Sequence, residues 1–198
     1  SSRYMLRAGE GTITLDQKWS VSTAEYCRLL LGAGTGEKYT VTLEENFEDW
    51  MDRGLDYDYE EVVNNSLHQF MEFYRSMPTV PAEYEEAALV AAYVDWASIV
   101  SPCGVLQRES MFMSKNWMCN VWSWDHCFNA MALAYNNPKE AWDQFMVMFD
   151  FQKESGNIPD SVNDAVVINN YCKPPIHGWT LKKLMKIMDL SKIGRASC

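Results

Sequence analysis

Residues 122–129 read Trp-Ser-Trp-Asp-His-Cys-Phe-Asn, which sets one carboxyl group, that of Asp125, beside two tryptophans at the start of a helical run. Indole rings pack well against the apolar faces of pyranose rings. A carboxyl group held among such rings loses hydration, which raises its pKa and favours a proton donor. Aromatic residues at short spacing also suit an ordinary helical core, so sugar contact and core packing both remain open at this point.

The composition is that of a globular protein. The chain has 198 residues, of which 47% are hydrophobic and 22% charged, and this length is enough to bury a sizeable core. Aromatic residues make up 13%. Such a surplus is compatible with carbohydrate contact, with a large core or with a partner interface, so it does not choose among them.

The charge of the chain argues against nucleic acid and membrane surfaces as partners. Seventeen basic and 27 acidic residues give a net charge of −10, which repels phosphate backbones and anionic lipid headgroups. Nine of the acids lie within residues 44–61 beside a single arginine, and this run predicts a solvated connector. The longest apolar run, residues 87–100, contains Asp95 and is shorter than the about 20 apolar residues that span a bilayer.

The cysteine pattern indicates a reducing compartment. The six cysteines form no Cys-x-x-Cys pair and show no zinc-finger spacing with the three histidines, so we expect buried free thiols and neither a metal nor a cofactor. No secretory signal opens the chain, which favours a cytoplasmic location; a signal removed by processing would instead place the protein in the periplasm. The cysteines are Cys27, Cys103, Cys119, Cys127, Cys172 and Cys198.

The first 43 residues predict β-strands. Residues 4–7, 12–15 and 39–43 are short, partly alternating and separated by glycines, as is typical of strands joined by turns. This segment is too small to close a sandwich or barrel, and an unfinished sheet leaves unpaired edges. We therefore expect residues 1–43 to be the remnant of a larger β-rich N-terminal domain.

From about residue 57 the apolar residues recur at helical spacing. A first helix ends before Pro78, and a second begins near Pro81 and runs to about residue 100. The second is apolar nearly all round, which predicts burial on most sides. Further helices are predicted over residues 125–135, 138–154 and 180–190, with Asn137 as an N-cap. This succession indicates a mainly α fold, a helical barrel whose loops form a cup.

The motif at residues 122–129 resembles a known family when it is taken together with Gly-Asn-Ile-Pro-Asp at residues 156–160. The two segments resemble glycoside hydrolase family 63, the processing α-glucosidases, and more distantly the trehalases and glucoamylases. The resemblance covers roughly residues 57–190. It implies a β-rich N-terminal domain, a connector and an (α/α)6 barrel that hydrolyses α-glycosidic bonds with inversion.

The resemblance also implies roles for individual residues. In the family, the aspartate after the second tryptophan is the general acid, so Asp125 would protonate the leaving glycosidic oxygen. Each of three residues has an alternative role: His126 as a helix histidine satisfied within the protein, Arg108 in an ordinary ion pair with Glu109 or the acidic connector, and Asp160 as a turn or helix cap. The predicted substrate-binding residues are Trp117, Trp122, Trp124, His126, Phe128, Asn129, Arg108 and Asp160.

The predicted organisation is incomplete with respect to this family. We expect a β-rich remnant over residues 1–43, an acidic connector and helix over 44–80, the first part of the barrel over 81–190 and a tail over 191–198. Inversion needs a second carboxylate about 6.5–9.5 Å from the acid, and in the family this base comes from the later half of the barrel. We therefore expect a fragment of a larger enzyme that lacks its general base, with Glu109, Asp160 and Asp164 as stand-ins.

Two functions follow from these observations. The first is an inverting α-glucosidase acting on α-linked oligosaccharides, with Asp125 as general acid. The second is a non-catalytic helical module that binds sugar or mediates assembly and lacks the general base. In either case the exposed faces of a half-built barrel favour a homo-oligomer.

Overall fold

The computed structural model describes residues 3–36, 38–46, 57–114 and 118–189. The chain divides into two compact units, residues 1–67 and 68–198. Residues 47–56 of the predicted acidic connector lie outside the described residues, as does the predicted tail at 191–198.

The first unit consists of two antiparallel strand pairs and the beginning of a helix. Strand β1 (Arg3–Glu10) pairs with β4 (Thr40–Asn46), and β2 (Thr12–Ser20) pairs with β3 (Thr23–Gly32). The strands predicted near residues 4, 12 and 39 are confirmed. A Cβ atom at Gly11, where φ is +89°, would lie 2.3 Å from the carbonyl oxygen of Gly32, so glycine is required where β1 passes into β2.

Five α-helices lie in the described residues, and each predicted helix is present. Helix α4 is shorter than predicted and is followed by a 3-10 turn at Phe149–Phe151. Asn137 does occupy the N-cap position of α4, but its side-chain amide donates to Ser76 Oγ at 2.6 Å and does not cap the helix. The helices are α1 (Tyr59–Ser76), α2 (Glu85–Ser98), α3 (Asp125–Leu133), α4 (Pro138–Met146) and α5 (His177–Ile187).

The prediction of a mainly α fold and of part of a helical barrel is wrong. Of the described residues 40% are helical and 26% lie in strands, which form several small antiparallel sheets. Most of the strand residues belong to β1 to β4 of the first unit, which are longer than predicted and include the unpredicted β3. Two-residue strands also lie between the helices of the second unit, and segments this short carry no periodic signal in the sequence. They are β5 (Ile99–Val100), β6 (Ser110–Met111), β7 (Val121–Trp122), β8 (Ser161–Val162) and β9 (Val167–Ile168).

The core of the second unit forms where α3, α4 and α5 meet. One cluster of buried residues joins these helices to β6, and a second cluster lies under the sheet β7-β8-β9. Each fully buried side chain of leucine or methionine size contributes about 1.5–3 kcal/mol to the free energy of unfolding. The largest members are Met111, Leu133, Phe145 and Leu184 in the first cluster and Val121, Met148 and Val162 in the second.

The prediction that the second helix is buried on most sides is also wrong. Only Ala92 and Ser98 of α2 are buried, whereas Leu89, Val90, Tyr93 and Val94 are exposed. The rings of Tyr93 and Trp96 contact that of Phe70 on α1, so the described residues pack against only part of the helix surface. None of the described helices combines the length and the hydropathy needed to cross a bilayer.

Candidate active site

The two sequence segments that carry the family resemblance lie side by side in the structure. Strand β7 pairs with β8, so that Trp122 is opposite Ser161. The backbone N–H of Ser123 donates to the carbonyl oxygen of Asp160 at 2.9 Å. The backbone just before Asp125 is therefore held against the end of the Gly-Asn-Ile-Pro-Asp segment.

Asp125 is the first residue of α3 and is partly buried. Burial raises the pKa of its carboxyl group above the ordinary value, while a hydrogen bond with its own backbone N–H and the charge of Lys173 act in the opposite direction. The helix N-terminus also favours the ionised form. The carboxyl group thus sits between opposing influences, which suits a group that must both hold and release a proton.

Lys173 contacts two of the predicted site residues, Asp160 and Trp122, and was not itself predicted from the sequence. Its ammonium nitrogen lies 2.7 Å from Oδ1 of Asp160 and 5.0 Å from the centroid of the Trp122 ring. A lysine over an indole ring at this distance makes a cation–π contact. A single lysine in a loop carries no sequence signal for this position, because the contacts depend on where the loop folds.

Asp160 is buried, with 3% of its surface exposed. Its carboxylate forms the ion pair with Lys173, and its backbone N–H donates to the carbonyl oxygen of Ile168 at 2.7 Å. Paired charges are the usual form in which a carboxylate is buried. Asp160 therefore lies beside Trp122 and serves as the counter-ion of Lys173.

Three aromatic side chains form an exposed row on α3 and α5, which we call the aromatic strip: Trp124, Phe128 and Trp179. Their exposed fractions are 37%, 46% and 49%, and the ring centroids are 6.0 Å apart for Trp124 and Phe128 and 6.3 Å apart for Phe128 and Trp179. Lys183 lies 5.7 Å from the Trp179 ring. The predicted residues Trp124 and Phe128 are thus brought together, and Trp179 joins them from a helix whose role was not predicted.

His126 lies inside the protein. It is fully buried, its Nδ1 is 2.8 Å from the carbonyl oxygen of Gln144, and its Nε2 is 3.0 Å from Nε2 of His177. Burial lowers the pKa of His126 to about 4, with a further contribution from His177, so the ring is neutral at physiological pH. This placement corresponds to the alternative of a histidine satisfied within the protein.

Arg108 forms ion pairs, with Asp143 and Asp150 and not with the expected Glu109. Its guanidinium donates to Asp143 at 2.9 Å and to Asp150 at 2.5 and 2.7 Å. Asp143 lies in α4 and Asp150 lies just after it. Arg108, two residues before β6, therefore links the β6 region to α4. The same hydrogen bonds raise the pKa of the guanidinium, which stays charged throughout the physiological range.

The remaining predicted residues are placed as follows. Asn129 is buried, and its Nδ2 has no hydrogen-bond partner among the described residues. Trp117 lies outside the described residues. Of the stand-in bases, Glu109 lines a groove with Glu72 and Glu140, whereas the backbone oxygen of Asp164 accepts from the N–H of Val105 at 2.9 Å.

The cysteines depart from the predicted burial of their thiols. All five described cysteines are free, but Cys27, Cys103 and Cys172 are exposed and only Cys127 is fully buried. Burial raises the pKa of the Cys127 thiol to about 11.

One comparison with known proteins matches the region that contains these residues. Residues 118–193 match a family model described as the mannosylglycerate hydrolase MGH1-like glycoside hydrolase domain. No curated protein matches the chain. The match includes both quoted segments, Lys173 and the aromatic strip. Residues 118–193 are therefore similar to a glycoside hydrolase domain, in agreement with the predicted class of enzyme.

Proposed function

We propose that this chain supplies the acid half of a glycosidase active site, in an inverting α-glucosidase of the family 63 type that acts on α-linked oligosaccharides. One observation carries the proposal. The residues matched to a glycoside hydrolase domain include Trp122 and Asp160, at one end of the β7-β8 strand pair, and Asp125, at the start of α3.

Asp125 is the proposed general acid. In its protonated form it donates a proton to the departing glycosidic oxygen as the bond to the anomeric carbon breaks. Partial burial favours that protonated form before reaction. After proton transfer the carboxylate is stabilised by the α3 N-terminus and by the charge of Lys173. Both the protonated and the ionised form of Asp125 are therefore stabilised.

The aromatic strip is the proposed sugar platform. Trp124, Phe128 and Trp179 expose ring surface along a row, with neighbouring centroids 6.0 and 6.3 Å apart. Exposed rings of this kind bind the C–H faces of sugars, while Lys183 at the end of the row offers a donor to a hydroxyl group.

The general base is proposed to be a carboxylate other than Asp160. Activation of water requires a carboxylate free to accept a proton, and Asp160 is buried and paired with Lys173 at 2.7 Å. An α-mannoside is a second candidate substrate besides an α-glucoside, because the description of the matched family model names a mannosylglycerate hydrolase.

A second candidate function is sugar binding without hydrolysis. It is favoured by the same ion pair, since Asp160, whose carbonyl oxygen accepts from the N–H of Ser123, is engaged as a counter-ion, while the aromatic strip remains open for binding. In this case the protein binds sugars but has no turnover.

Hydrolysis of aryl α-glucosides and α-mannosides, measured beside tryptophan fluorescence titrations with the free sugars, distinguishes the two functions. We expect Asp125→Asn to lower kcat at least about 100-fold and to leave sugar binding nearly unchanged. Glu154→Gln, which changes an exposed carboxylate of the same unit, serves as the matched control and keeps full activity. Binding without turnover in the unaltered chain would support the second function, and absence of both would reject the two together.

A further inference from the structure

Three side chains of types that can bind metals converge beside the proposed site. His126 and Cys127 are neighbours on α3, and His177 is the first residue of α5. Their donor atoms all lie within 4.8 Å of one another. The two histidine Nε2 atoms are 3.0 Å apart, and Sγ of Cys127 is 3.6 Å from Nε2 of His126.

The hydrogen bonding of His126 leaves its Nε2 free to act as a ligand. A carbonyl oxygen can only accept, so the 2.8 Å contact with Gln144 requires that Nδ1 of His126 carries the proton. The neutral ring has one N–H, and Nε2 therefore presents a lone pair to His177. Metal-binding histidines in proteins commonly have this arrangement, in which the outer ring nitrogen donates to a carbonyl oxygen and fixes the tautomer.

We propose that His126, Cys127 and His177 bind one Zn²⁺ ion, or another divalent transition metal of similar preference, through the two Nε2 atoms and Sγ. In a tetrahedral zinc site, bond lengths of about 2.0–2.1 Å to nitrogen and 2.3 Å to sulfur place two nitrogens about 3.3 Å apart and nitrogen and sulfur about 3.6 Å apart. The distances of 3.0 and 3.6 Å differ from these by a few tenths of an ångström, and the third pair, Sγ of Cys127 and the His177 ring nitrogen, lies within 4.8 Å.

The donor set selects the class of metal. Two imidazole nitrogens and one sulfur suit zinc, cobalt or copper, whereas calcium and magnesium prefer oxygen ligands. Binding releases the thiol proton of Cys127 to solvent and, through solvent, moves the proton of His177 from Nε2 to Nδ1, so each ion bound as M²⁺ leaves one thiolate and two neutral imidazole ligands and one free proton. His126 and Cys127 are fully buried, while His177 is only partly buried, which puts the entry path and an open coordination position on the His177 side.

Such an ion would link the first residue of α5 to α3, at the position on α3 that directly follows Asp125. In the protein without metal, a hydrogen bond from Nε2–H of His177 to Nε2 of His126 accounts for the 3.0 Å contact. That bond involves no atom of Cys127, whose thiol packs in the core cluster and contacts Thr180, so thiolate ligation of a bound metal is what distinguishes the metal site from a simple histidine pair.

Cobalt titration of the chelator-treated protein tests the proposal. We expect saturable uptake of one Co²⁺ per chain, intense d–d bands of a tetrahedral site and a thiolate-to-cobalt charge-transfer band, followed by displacement with Zn²⁺. His177→Gln should weaken binding by more than about 100-fold, because loss of a ligand exceeds the effect of losing a supporting hydrogen bond. Cys127→Ser should abolish the charge-transfer band.

Two matched controls use exposed residues of the same types. His68→Gln and Cys103→Ala change an exposed histidine and an exposed thiol and should leave the cobalt spectrum unchanged. Circular dichroism of each variant shows that it is folded, and His177→Gln, at a partly buried helix start, remains informative if Cys127→Ser does not fold. Absence of the bands in the unaltered protein, or their persistence in His177→Gln, would overturn the metal site.

Discussion

The ammonium nitrogen of Lys173 lies 2.7 Å from Oδ1 of Asp160 and joins the loop before α5 to the residue before β8. Asp160 is almost fully buried, so removal of the lysine charge would leave an uncompensated carboxylate in the interior. We expect Lys173→Met to lower the free energy of unfolding by about 3 kcal/mol, measured by urea denaturation.

This loss of stability should depend on the positive charge at position 173 and not on the length of the side chain. Lys173→Arg keeps the charge and should recover most of the lost stability, and Asp160→Asn combined with Lys173→Met should be more stable than Lys173→Met alone. A Lys173→Met protein as stable as the parent would show that the ion pair is not significant in solution.

Asp95 on α2 provides a test of pH dependence. Burial raises the pKa of its carboxyl group above the ordinary value of 3.8. The folded protein therefore binds this proton more tightly than the unfolded chain, so the group lowers stability above its folded pKa, and the loss disappears as the pH falls towards the ordinary value. We expect Asp95→Asn to raise the melting temperature at neutral pH and to bring little gain near pH 4.

The matched control for Asp95 is Glu83→Gln, because Glu83 is exposed at the start of the same segment. It should change the melting temperature little at either pH. An equal gain from Asp95→Asn at both pH values would mean that the effect does not arise from titration of the carboxyl group.

Leu184 and Met185 are neighbours on α5 that differ in burial. Leu184 is fully buried in the cluster between α3, α4 and α5, whereas 63% of Met185 is exposed. We expect Leu184→Ala to lower the free energy of unfolding by about 3 kcal/mol and Met185→Ala by no more than about 0.5 kcal/mol. Similar losses from the two variants, in chemical denaturation, would contradict the placement of α5 against α3.

Substitutions at Gly104 and Gly156 distinguish the energetic cost of steric crowding from that of a strained backbone. Both have positive φ, +55° and +85°, but a Cβ atom at Gly104 would lie 1.8 Å from the carbonyl oxygen of Asp164, while at Gly156 it would meet nothing within 4 Å. Gly156→Ala should cost about 1–2 kcal/mol from the left-handed backbone alone. Gly104→Ala should cost about 2–5 kcal/mol; equal losses would show that the loop relaxes freely.

The helices could be predicted because their signal is local. The apolar spacing in α1 and the prolines around residue 80 determine where α1 and α2 begin and end, and Pro138 marks the start of α4 in the same way. The fold class could not be predicted from the short predicted strands at residues 4–7, 12–15 and 39–43, because β1 to β4 extend further through their pairing and include the unpredicted β3. The strands β5 to β9 are two residues long and depend entirely on their partners.

By itself the sequence determined that Asp125 follows two tryptophans at the start of a helix, since residue order and helix periodicity are properties of a short stretch of chain. Only the tertiary structure decided that Lys173 pairs with Asp160, that Trp179 joins Trp124 and Phe128, and that His126 meets His177 from 51 residues away. The physical reason is that burial and contact between distant residues depend on how whole elements pack, and no spacing along the chain records that packing.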